Sequence, residues 1–437
     1  MYPLPPQVNT ALTLLNTAGF EAFVVGGAVR DLLRGSPVHD WDLTTSALPE
    51  QTKTVFADHR LIETGIKHGT VTVLMDGLPL EITTYRTEGT YSDHRRPDNV
   101  EFTPSLSEDL ARRDFTVNAM AYHPEAGVVD LFGGQSDLKN RVIRCVGEPD
   151  KRFQEDALRM LRALRFAARF GFSIEAETAA AIHRNKNLLT HVAAERIREE
   201  LTGLLCGSCV EPVLRQYHDV LAVPIPEIAP MVGFRQYNRH HCHDVWGHTI
   251  AAVAAAPNLP VLRWAALLHD TGKPARFFRG EDGVGHFYGH AEESAGIAAA
   301  VTARLRFDNN SRDLIRFLTE HHHLFLDITE RTVKRAVLKF GKDKLKLLLW
   351  ILRADTLGHS PCCFHRLDDI RRLDAMIAAV PEFTVKNLAV SGSDLLALGY
   401  QGAEIGQALE QLVNAVVFDG LENNKESLLN YLAEQKK

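Results

Sequence analysis

The chain has 437 residues, of which 45% are hydrophobic and 24% charged, a balance that is typical of folded globular proteins and excludes wholesale disorder. Its length predicts roughly two to four compact units. A membrane span needs about 18 consecutive apolar residues, and no such run occurs. The N-terminus lacks a basic segment followed by an apolar run, so no secretion signal is expected.

The cysteine content and the net charge indicate which cellular compartment and which kinds of partner suit this chain. The six cysteines are scattered and form no disulfide framework, which favours a reducing cytoplasm. Cys206 and Cys209 have no second pair at zinc-finger spacing, so a structural role is favoured for them. A net charge of −6 argues against general coating of nucleic acid but leaves room for a local basic track.

The predicted elements change in type along the chain. Between residues 20 and 135, short apolar runs alternate with Gly and Pro, which predicts a mixed α/β unit. Residues 68–75 and 80–85 are strand candidates joined by Asp76-Gly77, a hairpin turn signal. From residue 153 onward, apolar positions recur at helical spacing, with strands nearly absent after residue 145. The predicted helices cover residues 153–170, 176–185, 194–205 and 261–268.

The first chemical motif is a pair of glycines, Gly26 and Gly27, between a short apolar run and the start of a helix that contains Arg30. Glycine lets the backbone approach a phosphate closely, and the free N–H groups at a helix start favour anions. A tight strand-to-helix turn without a ligand is the alternative interpretation, and the glycines alone do not decide between the two.

Carboxylates follow the glycines at short range. In a strand, Asp40 and Asp42 would lie on the same face, where they could bind Mg²⁺ beside a triphosphate. Two-metal phosphoryl transfer requires such an arrangement, with one ion activating the attacking hydroxyl and the other stabilising the pyrophosphate that leaves. Glu81, on the following strand candidate, is a third catalytic candidate, with a solvated strand position as the alternative.

The chain contains five motifs in this order, the first of which includes the two glycines: VVGGAVRD at 24–31, RRDFTVN at 112–118, DLFGG at 130–134, EDALR at 155–159 and ERIREEL at 195–201. Together with the Asp-x-Asp pair they resemble the class II CCA-adding nucleotidyltransferases and bacterial poly(A) polymerases of the polymerase-β-like superfamily. This resemblance implies that the second motif contacts the ribose of the incoming nucleotide and that the fourth selects CTP and ATP without a template. The predicted nucleotide-binding residues are Gly26, Gly27, Arg30, Arg113, Asp114, Asn118, Asp156 and Arg159 from these motifs, together with Arg162, three residues after the fourth.

The fourth motif also has an interpretation from its chemistry. Asp156 and Arg159 are three positions apart, which places them on neighbouring parts of one helix face within the predicted helix 153–170. A carboxylate offers acceptors and a guanidinium offers a fork of donors, so the pair could recognise the hydrogen-bonding edge of a base. A salt bridge on the helix surface is the alternative.

The choice of polymer depends on two further resemblances. Residues 86–98 resemble the flexible loop of enzymes that complete CCA, which favours CCA or A addition over CC addition alone. Residues 387–406 resemble the tail of many bacterial CCA-adding enzymes, and their Gly-rich helix starts could bind RNA phosphates, with ordinary capping by Ser391 or Ser393 as the alternative. We expect tRNA to be recognised by its shape and backbone. The RNA-contact candidates, chosen on charge density, are Lys334, Arg335, Lys339, Lys342, Lys344 and Lys346.

A second metal site is predicted where histidines are dense. His248, the doublet His269-Asp270 and Asp355 resemble the ligand pattern of the HD phosphohydrolase superfamily. Such ligands bind a divalent transition metal or Mg²⁺, which activates water against a phosphate ester. His290 and either His321 or His322 resemble the extra ligands of dinuclear members, and His321 is the one we include in the predicted set.

The resemblance implies an α+β chain with a polymerase-β-like head, a mixed sheet with helices, followed by an all-α neck, an HD-type body and a tail. The predicted domains are residues 1–140, 141–215, 216–360 and 361–437. The leading hypothesis is a cytoplasmic enzyme that adds CCA to tRNA from CTP and ATP with Mg²⁺ in the head. A poly(A) polymerase or A-adding enzyme is the second hypothesis.

The remaining hypotheses concern the function of the HD-type body. Its HD-type ligands imply an additional phosphatase or 2′,3′-cyclic phosphodiesterase activity, while a degenerate domain kept as a tRNA-binding scaffold is the competing interpretation. A metal-dependent phosphohydrolase with a vestigial head is the hypothesis of another class. The sequence predicts no membrane contact and does not fix the oligomeric state.

Overall fold

A computed structural model describes residues 2–88, 100–324, 328–381 and 383–435. The chain divides into two compact units, one formed by Met1–Val232 with Ala300–Asn309 and the other by Gly233–Ala299 with Asn310–Lys437. The domain boundaries predicted from the sequence at 140, 215 and 360 are finer than this division and stay predictions. None of the helices among the described residues has the length and apolar character needed to cross a bilayer.

The first unit begins with a mixed sheet of order β3-β4-β5-β2-β1-β8-β9. Only β2 and β5 pair in parallel, and the other neighbours in this sheet are antiparallel. The described strands are β1 Ala22–Val25, β2 Trp41–Thr45, β3 Arg60–Ile62, β4 Thr70–Met75, β5 Leu78–Thr84, β6 Arg86–Glu88, β7 Val100–Phe102, β8 Met120–His123, β9 Gly127–Asp130, β10 Val142–Ile143, β11 Ser173–Ile174, β12 Phe278–Arg279 and β13 Gly285–His286.

Helices make up most of the remaining structure. Those of the first unit are α1 Pro6–Thr17, α2 Gly27–Leu33, α3 Pro49–Val55, α4 Leu106–Ala111, α5 Gly134–Asn140, α6 Pro149–Glu155, α7 Leu158–Phe170, α8 Ala176–Asn185, α9 Ala194–Leu205, α10 Val210–Gln216 and α11 His218–Leu221. The later ones are α12 Val245–Ala255, α13 Pro260–Leu268, α14 His290–Arg304, α15 Asn309–Glu320, α16 Glu330–Phe340, α17 Lys342–Gly358, α18 Arg366–Ala379, α19 Gly392–Ala397, α20 Ala403–Phe418 and α21 Lys425–Gln435.

The hairpin between β4 and β5 follows from local sequence. Asp76 and Gly77 both have positive φ angles, 46° and 84°, as a two-residue turn that continues the strand twist requires. Along β4 the residues alternate between half-buried and buried, so one face of the strand packs into the core. This confirms the predicted hairpin, although β4 begins two residues later than predicted, while β5 begins two residues earlier and ends one residue earlier.

The head core forms on the two faces of this sheet. On one face, α1 and α2 pack against the strands through residues such as Leu12, Val29 and Leu43. On the other face, Leu110 of α4 contacts Val25 and Ala121. Because both faces are covered, β1 is apolar throughout, and the buried Thr44 and Thr45 of β2 donate hydrogen bonds to the carbonyls of Thr83 and Glu21.

The predicted helix over residues 153–170 is wrong in one respect, because the chain forms two helices there. Helix α6 ends at Glu155, Asp156 is extended with φ −134° and ψ 103°, and α7 begins at Leu158. The Asp156 carboxylate accepts a hydrogen bond of 3.0 Å from the Leu158 N–H. An aspartate that caps a helix start in this way competes with helical hydrogen bonding, so Asp156 and Arg159 do not share one helix face.

A separate small core holds the C-terminal helices together. Leu395 of α19, Leu412 of α20 and Leu428 of α21 are buried against one another. Ser391 lies at the start of α19, where its backbone N–H donates to Asp394 Oδ2 at 2.8 Å. This is the ordinary capping that the sequence left open as the alternative to phosphate binding.

Candidate nucleotide and metal sites

The glycine loop lies beside the acidic residues of the head. Gly26 has φ 68° and connects β1 to α2. A Cβ at this position would lie 3.1 Å from Nη1 of Arg113 and 3.9 Å from Oδ2 of Asp42. Glycine is therefore required both by the left-handed backbone and by the close approach of the guanidinium. The structure thus brings Gly26, Asp42 and Arg113 together, as the sequence motifs predict.

Three carboxylates gather at one end of strands β2 and β5. Asp42 is directly opposite Glu81 in the parallel register, and Asp40 precedes β2 by one residue. Asp42 is half-buried, whereas Asp40 and Glu81 are exposed. Burial raises the pKa of Asp42, and Glu81 and Asp40 raise it further, while Arg113 lowers it. Crowded carboxylates of this kind suit a hard divalent cation, which would relieve their repulsion and stabilise their ionised forms.

A chain of hydrogen bonds joins the first and second motifs to Arg162, which lies three residues after the fourth. Arg30 donates to Asn118 Oδ1 at 2.7 Å, and Asn118 donates to Asp114 Oδ1 at 3.0 Å. Arg162 donates from Nε and Nη2 to Asp114 Oδ2 at 2.9 and 2.7 Å. Although burial acts to raise the pKa of Asp114, Arg162 and Asn118 lower it to about 2. The carboxylate is therefore ionised and fixed in position at neutral pH.

Asp109 is not among the residues predicted from the sequence. This residue is fully buried on α4 and accepts hydrogen bonds from Arg112 at 2.8 and 3.0 Å and from Arg113 at 3.2 Å. Burial acts to raise the pKa of Asp109, but Arg113 and Arg112 outweigh it and lower the pKa. Asp109 thereby holds Arg113 against Gly26. The signal in the sequence is an acidic residue three and four positions before two arginines on a helix.

The fourth motif makes contacts that the sequence did not predict. Arg159 is only 8% exposed and donates to Glu155 Oε2 at 2.6 Å and to the carbonyl of Arg112 at 3.1 Å. Asp156 accepts a hydrogen bond of 3.0 Å from Arg196, a residue of the fifth motif. Asp156 and Arg159 are thus each held by protein partners on opposite sides of the helix break, which fixes their positions relative to the nucleotide motifs.

In the second unit, four side chains converge as the sequence predicts. His248 Nε2 lies 3.1 Å from His269 Nε2, 2.9 Å from Asp355 Oδ1 and 3.3 Å from Asp270 Oδ2. His269 Nε2 lies 3.2 Å from Asp270 Oδ2 and 3.4 Å from Asp355 Oδ1. Ligands about 2.1 Å from a common ion are separated by about 3.0 to 3.4 Å in octahedral or tetrahedral geometry. These buried donors therefore fit one divalent ion.

The other oxygen of Asp270 faces a second group of histidines. Asp270 Oδ1 lies 3.5 Å from His290 Nε2 and 3.6 Å from His322 Nε2, and the two imidazole nitrogens are 3.2 Å apart. A ring nitrogen of His323 completes a set with His290 and His322 whose ligand atoms lie within 4.8 Å of one another. Asp270 is therefore placed to bridge two cations, one on each carboxylate oxygen.

The prediction of His321 as a ligand is wrong, and His322 has that place. His321 packs on the rings of Phe317 and Phe340, with centroids 4.6 and 5.2 Å away, and its Nδ1 lies 3.0 Å from the Phe317 carbonyl. Both histidines follow the end of α15. Because they are adjacent in the chain, their side chains point in different directions: His322 faces Asp270, and His321 faces the rings of Phe317 and Phe340. The repeated histidines at 321–323 could not indicate which ring faces inward.

Charges around Asp270 support a metal role. Although burial acts to raise the pKa of Asp270, His269 and Lys273 hold it well below its usual range. The Lys273 ammonium is buried, 2.7 Å from Asp270 Oδ2 and 2.9 Å from Gln236 Oε1. Neither Asp270 oxygen has a hydrogen bond of regular geometry among the described residues. Lys273 offsets part of the desolvation of Oδ2, whereas Oδ1 faces the imidazoles of His290 and His322, where a divalent cation would offset its burial.

Four of the six predicted RNA-contact residues line a cavity of about 920 Å³ in the second unit, and Lys346 is not among its lining residues. Its basic lining residues are Arg335, Lys339, Lys342 and Lys344, with Asp343 and Glu410 also present. Lys334 is engaged elsewhere, in an ion pair of 2.6 Å with Glu330. Of the predicted completion loop at 86–98, only the short strand β6 falls within the described residues.

The chain matches three known sequence families in succession. Residues 22–144 match the family described as the poly A polymerase head domain, and residues 171–230 match a probable RNA and SrmB-binding site of polymerase A. Residues 240–357 match the HD domain. The order agrees with a nucleotidyltransferase head followed by a helical RNA-binding segment and an HD body.

Curated relatives are similar over their whole length. The CCA-adding enzyme of Lactobacillus helveticus is 36% identical over 436 residues, which cover 99% of this chain and 98% of the relative. That of Geobacillus thermodenitrificans is 36% identical over 444 residues, covering 100% and 98%.

Solved structures give the same result. The Bacillus stearothermophilus CCA-adding enzyme in complex with CTP superposes with a TM-score of 0.73 at 30% identity, covering 99% of this chain and 98% of that one. The Thermotoga maritima CCA-adding enzyme complexed with tRNA shares the fold, with a TM-score of 0.59 at 20% identity over 99% and 96% of the two chains. The chain therefore belongs to the family of CCA-adding enzymes, which are nucleotidyltransferases, and contains an HD domain.

Proposed function

We propose that this chain adds C, C and A in order to the 3′ end of tRNA, using CTP and ATP and releasing pyrophosphate. The observation that carries the proposal is the pairing of Asp42 with Glu81, next to Asp40, at the loop that contains Gly26. The related enzymes include one solved with CTP and one solved with tRNA. Because the substrate is tRNA, we place the activity in the cytoplasm.

Each head residue has a role that its position supports. We assign Asp40, Asp42 and Glu81 as the Mg²⁺ ligands, because three converging carboxylates offer only oxygen donors. Bound Mg²⁺ would neutralise triphosphate charge and favour ionisation of the tRNA 3′-hydroxyl, with a two-metal arrangement as the finer proposal. Arg113, held beside Gly26, is positioned to contact phosphate oxygens as the nucleotide enters.

The remaining nucleotide contacts follow from the hydrogen-bonded chain. Asp114 and Asn118 are fixed by Arg162 and Arg30, so they can accept and donate hydrogen bonds at the ribose without rearranging. Asp156, from the break between α6 and α7, and Arg159, from the first turn of α7, are assigned to the base edge. In this role, selection of C or A would depend on which donors and acceptors the pair presents.

Ordered incorporation tests this proposal directly. Purified protein with Mg²⁺ and tRNA that ends before CCA should extend by C with CTP alone, and by C, C and A with both nucleotides. ATP alone should give no extension of that tRNA but should add A to tRNA that already ends in CC. Extension of the CCA-less tRNA by repeated A would support a poly(A) polymerase instead, and release of phosphate without incorporation would support a phosphohydrolase.

The HD cluster favours a second activity, the metal-dependent hydrolysis of phosphate esters such as 2′,3′-cyclic phosphates. The bridging position of Asp270 between two sets of imidazoles carries this proposal, since paired divalent ions can activate water and bind a phosphate together. The carboxylate–imidazole donors suit a divalent transition metal or Mg²⁺. We therefore propose a hydrolytic domain rather than a scaffold kept only to bind tRNA.

Hydrolysis of 2′,3′-cyclic AMP in the presence of Mn²⁺, Ni²⁺ or Mg²⁺ tests the HD proposal. Wild-type protein should release product with at least one of these ions, and His269→Ala should lose this release by about 100-fold or more. Hydrolysis that persists in His269→Ala would come from another site. Inactivity of the wild type with every ion would support a scaffold role.

The basic cavity is our proposed contact with the tRNA backbone. Its arginine and lysine residues offer phosphate contacts that need no base sequence, as expected for A-form RNA. Reversing Lys339 and Lys342 to Glu should weaken tRNA binding and reduce its dependence on salt concentration. Lys334→Glu is the matched control on the same helix, because that ammonium is already paired with Glu330. Equal effects of the two changes would argue against the cavity.

A further inference from the structure

A cluster of two thiols and an imidazole lies in the second unit outside the HD ligand set. Cys363 Sγ is 3.5 Å from His240 Nδ1 and 3.9 Å from Cys362 Sγ, and the ligand atoms of all three residues lie within 4.8 Å of one another. The cysteines belong to the short 3-10 helix Pro361–Cys363. A backbone hydrogen bond of 2.8 Å, from Ser360 N–H to the His240 carbonyl, fixes the two segments side by side.

The separations of the donor atoms agree with those of a tetrahedral zinc site. With Zn–S about 2.3 Å and Zn–N about 2.0 to 2.1 Å, tetrahedral angles place two sulfurs about 3.8 Å apart and sulfur and nitrogen about 3.5 Å apart. The observed values are 3.9 and 3.5 Å. A disulfide would require the sulfurs to be about 2.05 Å apart, so these two thiols are separate.

Burial gives the cluster one closed side and one open side. Cys363 is 1% exposed and His240 is half-buried, whereas Cys362 is exposed. An ion held by these three would have protein on one side and solvent at its fourth position. The donor set is also softer than that of the HD cluster, which contains only imidazole and carboxylate groups, so the two sites would prefer different ions.

Residues that are near this cluster in the sequence lie beside ligands of the HD site. His241 follows His240, and its ring centroid lies 4.4 Å from that of His359 and 5.2 Å from that of His248. His359 lies one turn after Asp355, at the end of α17. An ion that joined His240 to Cys362 and Cys363 would therefore hold together the two segments that flank one edge of the HD cluster.

We propose that His240, Cys362 and Cys363 bind one Zn²⁺-class ion in a thiolate site distinct from the HD metals. Its role is structural: it fastens the segment around residue 240 to the chain that follows α17. The proposal does not depend on the nucleotidyltransferase or hydrolase activity. It assigns a function to two adjacent cysteines that neither activity uses.

Cobalt spectroscopy can distinguish this site from the HD cluster. Co²⁺ bound by thiolate gives a sulfur-to-cobalt charge-transfer absorption in the near ultraviolet, and Co²⁺ bound by imidazole and carboxylate alone does not. Titration of reduced, full-length protein should produce this absorption, with a final intensity that corresponds to one thiolate-bound Co²⁺ per chain in addition to the Co²⁺ that fills the HD cluster. Added Zn²⁺ should remove it. Absence of the band from reduced wild-type protein would overturn the proposal.

Variants identify the thiols responsible. Cys362→Ser, at an exposed position, and His240→Asn should each weaken Co²⁺ binding, measured by this absorption, by about 100-fold or more. The double variant Cys206→Ser/Cys209→Ser is the matched control, since it removes the other closely spaced cysteine pair, and it should keep the band. A band that is lost in the control and retained in Cys362→Ser would assign the thiolate site to Cys206 and Cys209 and overturn the proposal.

Discussion

Among single side chains, Asp114 shows how the head keeps a charged group in a fixed position. Its carboxylate has four hydrogen bonds, two of them from Arg162 and one each from Asn118 and the Phe115 N–H. A carboxylate with this many donors remains ionised although it is buried. The same contacts that fix it for its proposed role at the ribose therefore also contribute to the stability of the fold.

The change Asp114→Asn should lower the stability of the protein at neutral pH. The pKa of Asp114 falls from 3.8 to about 2 on folding, so the stabilisation is fully present above pH 4 and is lost as the pH falls through 2. This difference in pKa corresponds to roughly 2 kcal/mol of unfolding free energy at pH 7. Urea denaturation of wild type and variant between pH 2 and 7 measures it.

The control for this measurement is Asp150→Asn. Asp150 pairs with Arg184 at 2.6 Å, but both side chains are more than 40% exposed, at 43% and 49%. Solvent screens such a pair, so its loss should cost much less than the loss of the Asp114 contacts. If Asp114→Asn retained the acid dependence of the wild type, the assignment of that dependence to Asp114 would be wrong.

Two adjacent histidines give the sharpest test of the HD cluster. His322→Ala should reduce the stoichiometry of Mn²⁺ binding from two ions to one, because it removes a ligand of the second position at Asp270. His321→Ala should leave both ions bound, since its ring packs on Phe317 and Phe340. Titration of each variant with Mn²⁺, followed by electron paramagnetic resonance of the free ion, measures the count. Equal losses in both variants would contradict the placement.

The sequence predicted residues whose chemistry is evident from local motifs and missed those whose role depends on packing. Asp42 and the doublet His269-Asp270 could be predicted as metal ligands because each has motif partners in a characteristic order, the glycine loop before Asp42 and His248 and Asp355 on either side of the doublet. Asp109 could not be assigned, because its role depends on its burial and on its ion pairs with Arg112 and Arg113, which only the folded structure shows. His321 and His322 were indistinguishable because the direction of a side chain just beyond a helix depends on how the helix ends.

At the scale of elements, the break between α6 and α7 sets the geometry of the fourth motif. The apolar spacing continues through residues 153–170 as though one helix were present, so periodicity alone could not locate the break. A single aspartate ends α6 and caps α7 because its side chain takes the N–H of Leu158. In contrast, the Asp76-Gly77 hairpin was predictable, since its turn depends on the two residues themselves.

Substitution of Asp156 should separate stability from nucleotide selection. Asp156→Ala removes the cap of α7 and the Arg196 contact, so the unfolding free energy should fall by about 1 kcal/mol. Asp156→Asn keeps a side-chain oxygen for the Leu158 N–H and should remain near wild-type stability. In both variants the preference for CTP over GTP, measured as a ratio of kcat/KM values, should fall by at least about tenfold.

These two measurements together decide the role of the residue. A loss of stability without any change in nucleotide preference would leave Asp156 as a helix cap only. A change in preference in the stable Asn variant would assign the residue to the base edge, since the altered selection could not then be attributed to a disordered helix.

For the whole molecule, the two compact units carry ligand sets of different chemistry. The head offers carboxylates on adjacent strands, a set suited to Mg²⁺ and to triphosphates, while the second unit offers imidazoles and carboxylates from several helices. The two sets share no residue, so a ligand of one can be replaced without removing a ligand of the other. The sequence predicted two separate sites because the head residues and the HD residues each resemble the ordered motifs of a different family.

The two activities should accordingly be lost independently. Asp42→Ala should lower both C and A addition by about 100-fold or more, because both nucleotides use the same carboxylates, while metal-dependent hydrolysis of 2′,3′-cyclic AMP continues. His269→Ala should show the reverse pattern. Asp42 and His269 belong to different compact units, so neither change removes a ligand of the other site. Nucleotide addition that survived in Asp42→Ala would remove the head carboxylates from the mechanism, and parallel loss of both activities in one variant would show that the sites are coupled.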